Sequence, residues 1–439
     1  MIYERDPFGL RPLYYARHGG ALHVSHALPP LLELVPHELD EESLADFIIH
    51  GFPADPQRTM FKHIARVPPA HRLTADGRIE RSWSLPIRDT PLRIGAREAA
   101  ETFRELLVAA VRERARGPVV VSMSGGLDST SVAAALVHAG ADVRALTAVW
   151  DELIPDQERA VSTIAAKHLR IPIDFQPCDR YQPFARRETF EPNPEPYSAA
   201  FHDFMALAAE RGSVLMGGWG GDPLLATSRS YLFDLLRRGR WLRLASEAGR
   251  FALTRRQLPP LLVRTNLGLH KNRDTPPAWL LPHLHERWHA PMPATDPRTH
   301  PYRPEAFRAI HSSAWQAVFE SYAQHPIEFE APLFDTRLVE FALSLAPMPH
   351  FAGKDLLRQA MRGWLPDEVR LRPKTPLRGD PLAVVWPRLS AQWVGTIDAC
   401  ESLDQYVSRR KLREELSSGS QMHVRHQAHA VALAQWLRA

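Results

Sequence analysis

The hexapeptide Ser124-Gly125-Gly126-Leu127-Asp128-Ser129 combines residue types suited to holding a polyanion. It follows the apolar run Val119-Val120-Val121 and opens a helical stretch, Thr130 to Leu136, so it reads as strand, Gly-rich turn, helix. Paired glycines let backbone N–H groups reach phosphate oxygens with no Cβ in the way. A helix N-terminus adds partial positive charge at the same place. Ser124 and Ser129 can donate to phosphate oxygens, and Asp128 can hold Mg²⁺. The segment lacks the Gly-Lys-Ser/Thr ending of a Walker A loop. A plain βα turn is the competing reading; the flanking serines and Asp128 in this context favour phosphate. A second Gly-rich turn, Gly217-Gly218-Trp219-Gly220-Gly221-Asp222, follows the apolar Val214-Leu215-Met216. Asp222 has two readings, a second Mg²⁺ ligand or the N-cap of the helix that follows. Mg²⁺ commonly shares one or two carboxylates with substrate phosphates, so Asp128 and Asp222 would clamp one Mg²⁺-bound nucleotide.

These loops need a scaffold, and the pattern between them supplies one. Strand 119–123 precedes helix 129–139, strand 143–149 precedes helix 156–169, and a strand lies near 171–175. A Pro-rich crossover with Pro192-Asn193-Pro194-Glu195-Pro196 leads to helix 198–211 and strand 213–216. Repeated βα units predict an α/β fold with a doubly wound parallel sheet, whose ligands bind at the C-terminal strand ends. Both Gly-rich turns stand at such ends. Residues 227–439 read as a mostly helical C-terminal part, with Pro-rich breaks between 258 and 304.

Upstream, the chain reads as β-rich. Leu13–Ala16, Ala21–Val24 and His71–Thr74 are strand candidates, with turn signals at Gly19-Gly20 and Asp76-Gly77. A helix from Asp40 to Ile49 has Asp40 as N-cap. The expected division is residues 1–86, a linker 87–97, and 98–439, the last opening on an amphipathic helix, 97–116.

The net charge of +4 is too small to argue for nucleic acid. No apolar run is long enough to predict a membrane span, the N-terminus carries no signal-peptide pattern, and a cytoplasmic location is expected. Cys178 and Cys400 are the two cysteines and have no metal-ligand spacing. The Arg-rich stretch from Arg237 to Arg256 reads as a solvated helical face. The chain has only six lysines, Lys62, Lys167, Lys271, Lys354, Lys374 and Lys411, so a lysine inside a motif carries weight.

Further along stand Glu328-Phe329-Glu330-Ala331-Pro332-Leu333-Phe334-Asp335, then Gly353-Lys354-Asp355-Leu356-Leu357-Arg358, then Arg372-Pro373-Lys374. The first loop resembles the pyrophosphate-binding loop of enzymes that split ATP between the α- and β-phosphates. The two Gly-rich loops, the Glu328–Asp335 segment and the Gly353–Arg358 segment, in that order, resemble the synthetase domain of the asparagine synthetase family, over most of residues 98–380. Arg5-Asp6-Pro7-Phe8-Gly9-Leu10-Arg11-Pro12-Leu13-Tyr14-Tyr15 is similar to the second half of that family's N-terminal, Ntn-type glutaminase domain. The resemblance implies a nucleotide α-hydrolase-like fold behind a partial glutaminase-like domain, with ATP and Mg²⁺ as cofactors. It implies adenylation of a substrate carboxylate, release of pyrophosphate, and attack by an amine. ATP-binding residues would be Ser124, Gly125, Gly126, Leu127, Asp128, Ser129, Val149, Gly217, Gly218 and Asp222, with Asp128 and Asp222 on the metal. Lys354 would stabilise charge near the α-phosphate, its alternative being a solvent-facing helix start. Glu328 would orient or deprotonate the amine, its alternative being a buried partner of Lys354 or an Arg.

Three departures refine the expectation. The family's N-terminal nucleophilic Cys has no counterpart, so no glutamine hydrolysis is expected. Trp219 stands where asparagine-forming members carry Glu, and an indole cannot accept a proton. Pro223 follows Asp222 where the family usually has Glu, removing an N–H and fixing φ. The aromatic position resembles that of β-lactam-forming relatives, in which the attacking nitrogen belongs to the substrate. The reading is therefore a specialised amidoligase of the lasso-peptide-cyclase kind, acting on a small molecule or peptide that carries both carboxylate and amine. Leader-peptide and protease proteins are the implied partners. An asparagine synthetase using free ammonia is the second reading, and a non-catalytic scaffold the third.

Overall fold

The computed structural model describes residues 2–185, 189–225, 232, 235–236, 239–255, 275–290, 294–373 and 379–438. Lys374 and parts of the Arg-rich stretch, including Arg237, Arg238 and Arg256, lie outside the described residues.

Three β-branched side chains in a row start the central sheet. Val119, Val120 and Val121 are each at most 1% exposed, because helices cover both faces of a parallel strand. Strands β7 (Val119–Ser122), β8 (Val143–Val149), β9 (Ile173–Pro177), β10 (Val214–Gly217) and β11 (Glu328–Glu330) form one five-stranded sheet in the order β11-β10-β7-β8-β9. All four pairings are parallel. Crossover helices Leu127–His138, Glu158–Leu169 and Ser198–Arg211 connect them. From β7 the chain moves outward to β8 and β9, then returns to lay β10 on β7's other side. The strand order therefore reverses between β7 and β10, where open α/β sheets form their ligand crevice. The two Gly-rich turns leave the C-terminal ends of these two adjacent strands.

The doubly wound architecture thus stands as expected, with a fifth strand the sequence pattern did not reveal. The β11 segment is Glu-Phe-Glu, three residues long, with two of three positions charged. It holds the sheet edge because Phe329 faces the core while its neighbours face arginines on the other side.

Upstream, two small antiparallel sheets form. One has the order β1-β5-β6 (Ile2–Glu4, His71–Thr74, Ile79–Arg81); the other has β3-β2-β4 (Ala21–Ser25, Tyr14–His18, Ile64–Arg66). Gly19 and Gly20, at φ +58° and +80°, make the two-residue turn between β2 and β3. Asp40 caps the helix Glu41–His50, accepting from Ser43 N at 2.8 Å, as expected.

The β-rich part is joined to the rest by an apolar core and a buried ionic network. Phe47 and Ile48, fully buried, share a core with Ala428 and Val431 of the C-terminal helix Val424–Leu437. Arg5 donates to Gln316 Oε1 at 2.8 Å and lies 3.5 Å from Glu320. Arg66 pairs with Glu320 and with Glu191, each at 2.9 Å. Burial alone would lower the Arg66 pKa, and Glu191 and Glu320 together more than reverse that. Among the described residues, no helix is long and apolar enough to cross a membrane.

Removing Glu320 strands two buried guanidiniums that together need it. Glu320→Gln should lower unfolding stability by about 3 kcal/mol or more, seen as a reduced denaturant midpoint with an unchanged slope. Glu113→Gln, which breaks the exposed pair with Arg337, should change the midpoint little.

Candidate active site

The first loop is organised by its own serines. Ser124 and Ser129 hydroxyls lie 3.0 Å apart, Gly126 N–H donates to Ser124 Oγ at 3.2 Å, and Ser129 Oγ donates to Ser124 O at 3.0 Å. Leu127 and Asp128 begin the Leu127–His138 helix, so their amides face the cleft with the helix dipole behind them. Gly125 N–H donates to the carboxylate of Glu158, at the start of the next crossover helix. The loop amide thus already receives an anionic oxygen. Burial pushes the Glu158 carboxyl up, against the opposing pull of that hydrogen bond.

The second loop lies directly on the first. A Cβ built on Gly218 would stand 2.6 Å from Ser129 N and 2.7 Å from Asp128 Cβ; one on Gly221 would stand 2.4 Å from Asp128 Cγ. Gly220 has φ +88°, and a Cβ there would press on the Phe334 ring at 2.8 Å. Glycine is required at all three positions by contact, and at Gly220 by conformation as well. The closeness brings Asp222 near Asp128 although 94 residues separate them. Pro223 does not disturb this, because it sits inside the short helix Gly221–Leu225, where its missing N–H is not needed. Asp222 also lies in the first turn of that helix.

Lys354 joins the two carboxylates. Its ammonium contacts Asp128 Oδ2 and lies 2.6 Å from Asp222 Oδ1. The backbone is bent to put it there: Gly353 and Lys354 both have left-handed φ, +59° and +60°. For a residue with a Cβ this costs on the order of 1 kcal/mol or more. Lys354 also precedes the helix Asp355–Ala360, with its side chain 13% exposed, so it is not a solvent-facing helix start. Arg358 locks this turn by donating to Gly353 O at 2.7 Å and to Arg372 O at 2.8 Å. Arg372 donates to Gln157 at 3.1 Å and reaches Gly125 O at 3.5 Å. A cleft of about 510 Å³ results, lined by the first loop, Gly218 to Asp222, Glu158, Lys354, Arg358, Arg372, Trp315 and Tyr322.

Two expected site residues fall elsewhere. Glu328 pairs in register with Val214, the first residue of β10, at the opposite end of the sheet from the loops. It forms ion pairs with Arg11 at 2.8 Å and Arg116 at 3.2 Å. Its carboxylate cannot orient an amine in the cleft; the arginine-partner alternative is the one realised. The rest of its motif is equally structural, with Glu330 between Arg11 and Arg114 and Asp335 capping the helix Thr336–Ser344. Val149 ends β8 at the correct end of the sheet, but its side chain is buried and its neighbour Ala148 lines the adjoining cavity instead.

Sequence reasoning missed Glu158, Arg372, Trp315 and Tyr322. Arg358 and Arg372 stood inside quoted motifs, and that proximity was the available signal. Glu158, Trp315 and Tyr322 reach the cleft through tertiary packing and carry no local pattern. Trp219 packs edge-on against Tyr322 and Phe329, at 5.0 and 4.7 Å between ring centroids, making an apolar wall where a carboxylate would have stood. Cys178 and Cys400 are both buried, and burial pushes the Cys178 thiol up to about 11, so neither is an activated nucleophile.

A sheet whose order reverses between two Gly-rich loops, with two aspartates and a lysine meeting there, defines a nucleotide-dependent ligase site. Residues 102–438 match the asparagine synthase family and residues 1–83 match a glutamine amidotransferase domain. The chain belongs to the asparagine synthase family, a family of ATP-dependent carbon–nitrogen ligases. A part of it is 34% identical over 148 residues to Amidase chry2 of Gibberella zeae, a match that covers 31% of this chain and 21% of that protein. The matched segment thus spans about a fifth of that relative's length.

A methyl group at the tightest loop contact should separate the two aspartates. Gly221→Ala should lower turnover by about 100-fold, the scale of a 1 Å misplacement, with the unfolding midpoint near that of the parent chain. Asp128→Asn and Asp222→Asn should each abolish most ATP-dependent turnover; a parental rate in either would remove that residue from the site.

Proposed function

We propose that the chain is an AMP-forming amide ligase that activates a substrate carboxylate and lets the substrate's own amine close the bond, most simply a peptide macrolactam. The observation that carries this reading is the convergence of Asp128, Asp222 and Lys354 beneath two Gly-rich loops.

The donor set suits a magnesium–nucleotide complex. Two carboxylates from two loops share one cationic neighbour. Among the described residues, no group of three or more His, Cys, Asp or Glu forms a protein-only metal cage. Mg²⁺ typically takes one or two carboxylates and completes its shell with phosphate and water. Asp128 and Asp222 would hold it, and it would supply positive charge to offset that of the phosphates.

In this reading a carboxylate oxygen attacks the α-phosphorus of ATP, the bond to the β-phosphate's bridging oxygen breaks, and pyrophosphate leaves. The first loop and its helix N-terminus hold that pyrophosphate through backbone N–H groups and the Ser124 and Ser129 hydroxyls. The amine then attacks the acyl carbon, loses a proton, and AMP departs with the acyl–oxygen electron pair. Lys354 stands where negative charge develops in both steps. Arg358 and the left-handed turn fix it there, so little reorganisation is needed as charge develops. Trp219 takes the place of the carboxylate that asparagine-forming relatives carry, which supports an amine supplied by the substrate itself. The free-ammonia asparagine synthetase reading survives as the alternative to test. A peptide substrate would also give leader-binding and protease partners a role upstream.

Turnover should release AMP and pyrophosphate, and pyrophosphate exchange into ATP should require a suitable carboxylate; ADP as the product would overturn the reading. Lys354→Ala should lower kcat about 100-fold or more and leave substrate binding little changed. Lys354→Arg should rescue it poorly, because a planar fork does not replace a compact ammonium between two carboxylates. Trp219→Glu restores a carboxylate at the wall. Ammonia-dependent asparagine formation by that variant would favour the alternative.

A further inference from the structure

Beside the nucleotide cleft lies a larger chamber of about 820 Å³, which shares Ser122 and Tyr322 with it. That volume falls in the range of sites for drug-sized ligands. Its walls come from segments far apart in the chain. His50 ends the Glu41–His50 helix and Phe52 follows it, Asn193 to Tyr197 belong to the Pro-rich crossover, and Ala428 and His429 come from the C-terminal helix. They meet at Gly51, where an added Cβ would lie 2.9 Å from Pro194 and 3.1 Å from His429.

The interior is apolar and aromatic. Trp150 and Tyr197 pack edge-on at 4.8 Å, with Phe201 and Phe204 alongside. Tyr197 is 9% exposed, and its hydroxyl is enclosed within the wall. Burial holds both imidazoles below the usual range, His429 at about 4, so neither supplies a cation at neutral pH. The charged lining residues, Glu195, Asp380 and Arg425, are all exposed at the mouth. Desolvation by the surrounding walls pushes the Glu195 carboxyl up, and Arg425 pulls it down. Among the described lining residues, two carboxylates face one guanidinium.

We propose that this chamber holds the body of a peptide substrate, with apolar side chains on Trp150, Tyr197, Phe201 and Phe52, and the free ammonium at the Glu195–Asp380 mouth. This rests on the ligase reading for where the carboxylate goes, namely to the neighbouring cleft. The N-terminal region then contributes a wall of the substrate chamber. A free aspartate is a poor occupant, because the interior offers no cation for its second carboxylate among the described residues.

The test uses the full chain and calorimetric titration with the tetrapeptide Gly-Leu-Phe-Asp, its N-acetyl form, its Gly-Ala-Ala-Asp analogue and L-aspartate. Gly-Leu-Phe-Asp should bind at least about 10-fold more tightly than the Ala analogue or aspartate. Phe52→Ala should weaken it about 10-fold. Glu195→Gln with Asp380→Asn should weaken the free peptide and leave the acetylated one unchanged. Mg-ATP affinity should be parental in all these variants. Aspartate binding as tightly as the peptide, or an equal loss of Mg-ATP binding in Phe52→Ala, would overturn the proposal; the second result would make the chamber the nucleotide base pocket. Pyrophosphate exchange separates the two readings. Peptide binding without exchange sinks the ligase reading and keeps the chamber, whereas exchange driven by aspartate with no peptide binding does the reverse.

Discussion

The contact of the second Gly-rich loop with Asp128 is the constraint on which the site depends. The loops leave adjacent strands β7 and β10, whose spacing the sheet sets. At that spacing a side chain on Gly218 or Gly221 would overlap Asp128. Without the contact, Asp222 would not face Asp128, and Lys354 would have one carboxylate to answer instead of two. The strained turn at Gly353-Lys354 is then understandable. Its cost is offset by two ion pairs and by Arg358, which ties it to the Arg370–Arg372 segment.

Much of the parallel sheet was legible because its signals are local. Strand 143–149 and helix 198–211 fall on the boundaries read from apolar runs and flanking turns. Strands β1, β4, β6 and β11 were not legible; each is three residues long, too short to show an alternation. The site divides in the same way. Loops 124–129 and 217–222 announce themselves by glycine and carboxylate in a strand–helix context. Glu158 and Tyr322 do not, because each is an ordinary helix residue until tertiary packing aims it.

Glu328 shows a different failure. Its motif reads as chemistry, yet in this chain its carboxylates answer arginines. Arg11, Arg114 and Arg116 gather around Glu328 and Glu330, while Arg114 and Arg337 share Asp335. Alternation along β11 decides this. Phe329 takes the face toward Trp219 and Tyr322, so both glutamates must take the other. A motif matched in sequence places a residue in a strand; the pleat and the register decide which way it points.

The shared core of the Glu41–His50 and Val424–Leu437 helices bears on how the chain is made. His429 and the Ile48 carbonyl lie 3.2 Å apart and 381 residues apart in sequence. Phe47 and Ile48 therefore emerge from a ribosome long before the surface that covers them exists. The β-hairpins near them close through local pairing, but this helix must wait for residues 424–437 to be synthesised. During that interval it presents an apolar face to solvent. The docking of helix 424–437 onto helix 41–50 covers that face, and the chamber wall at Gly51 closes with it.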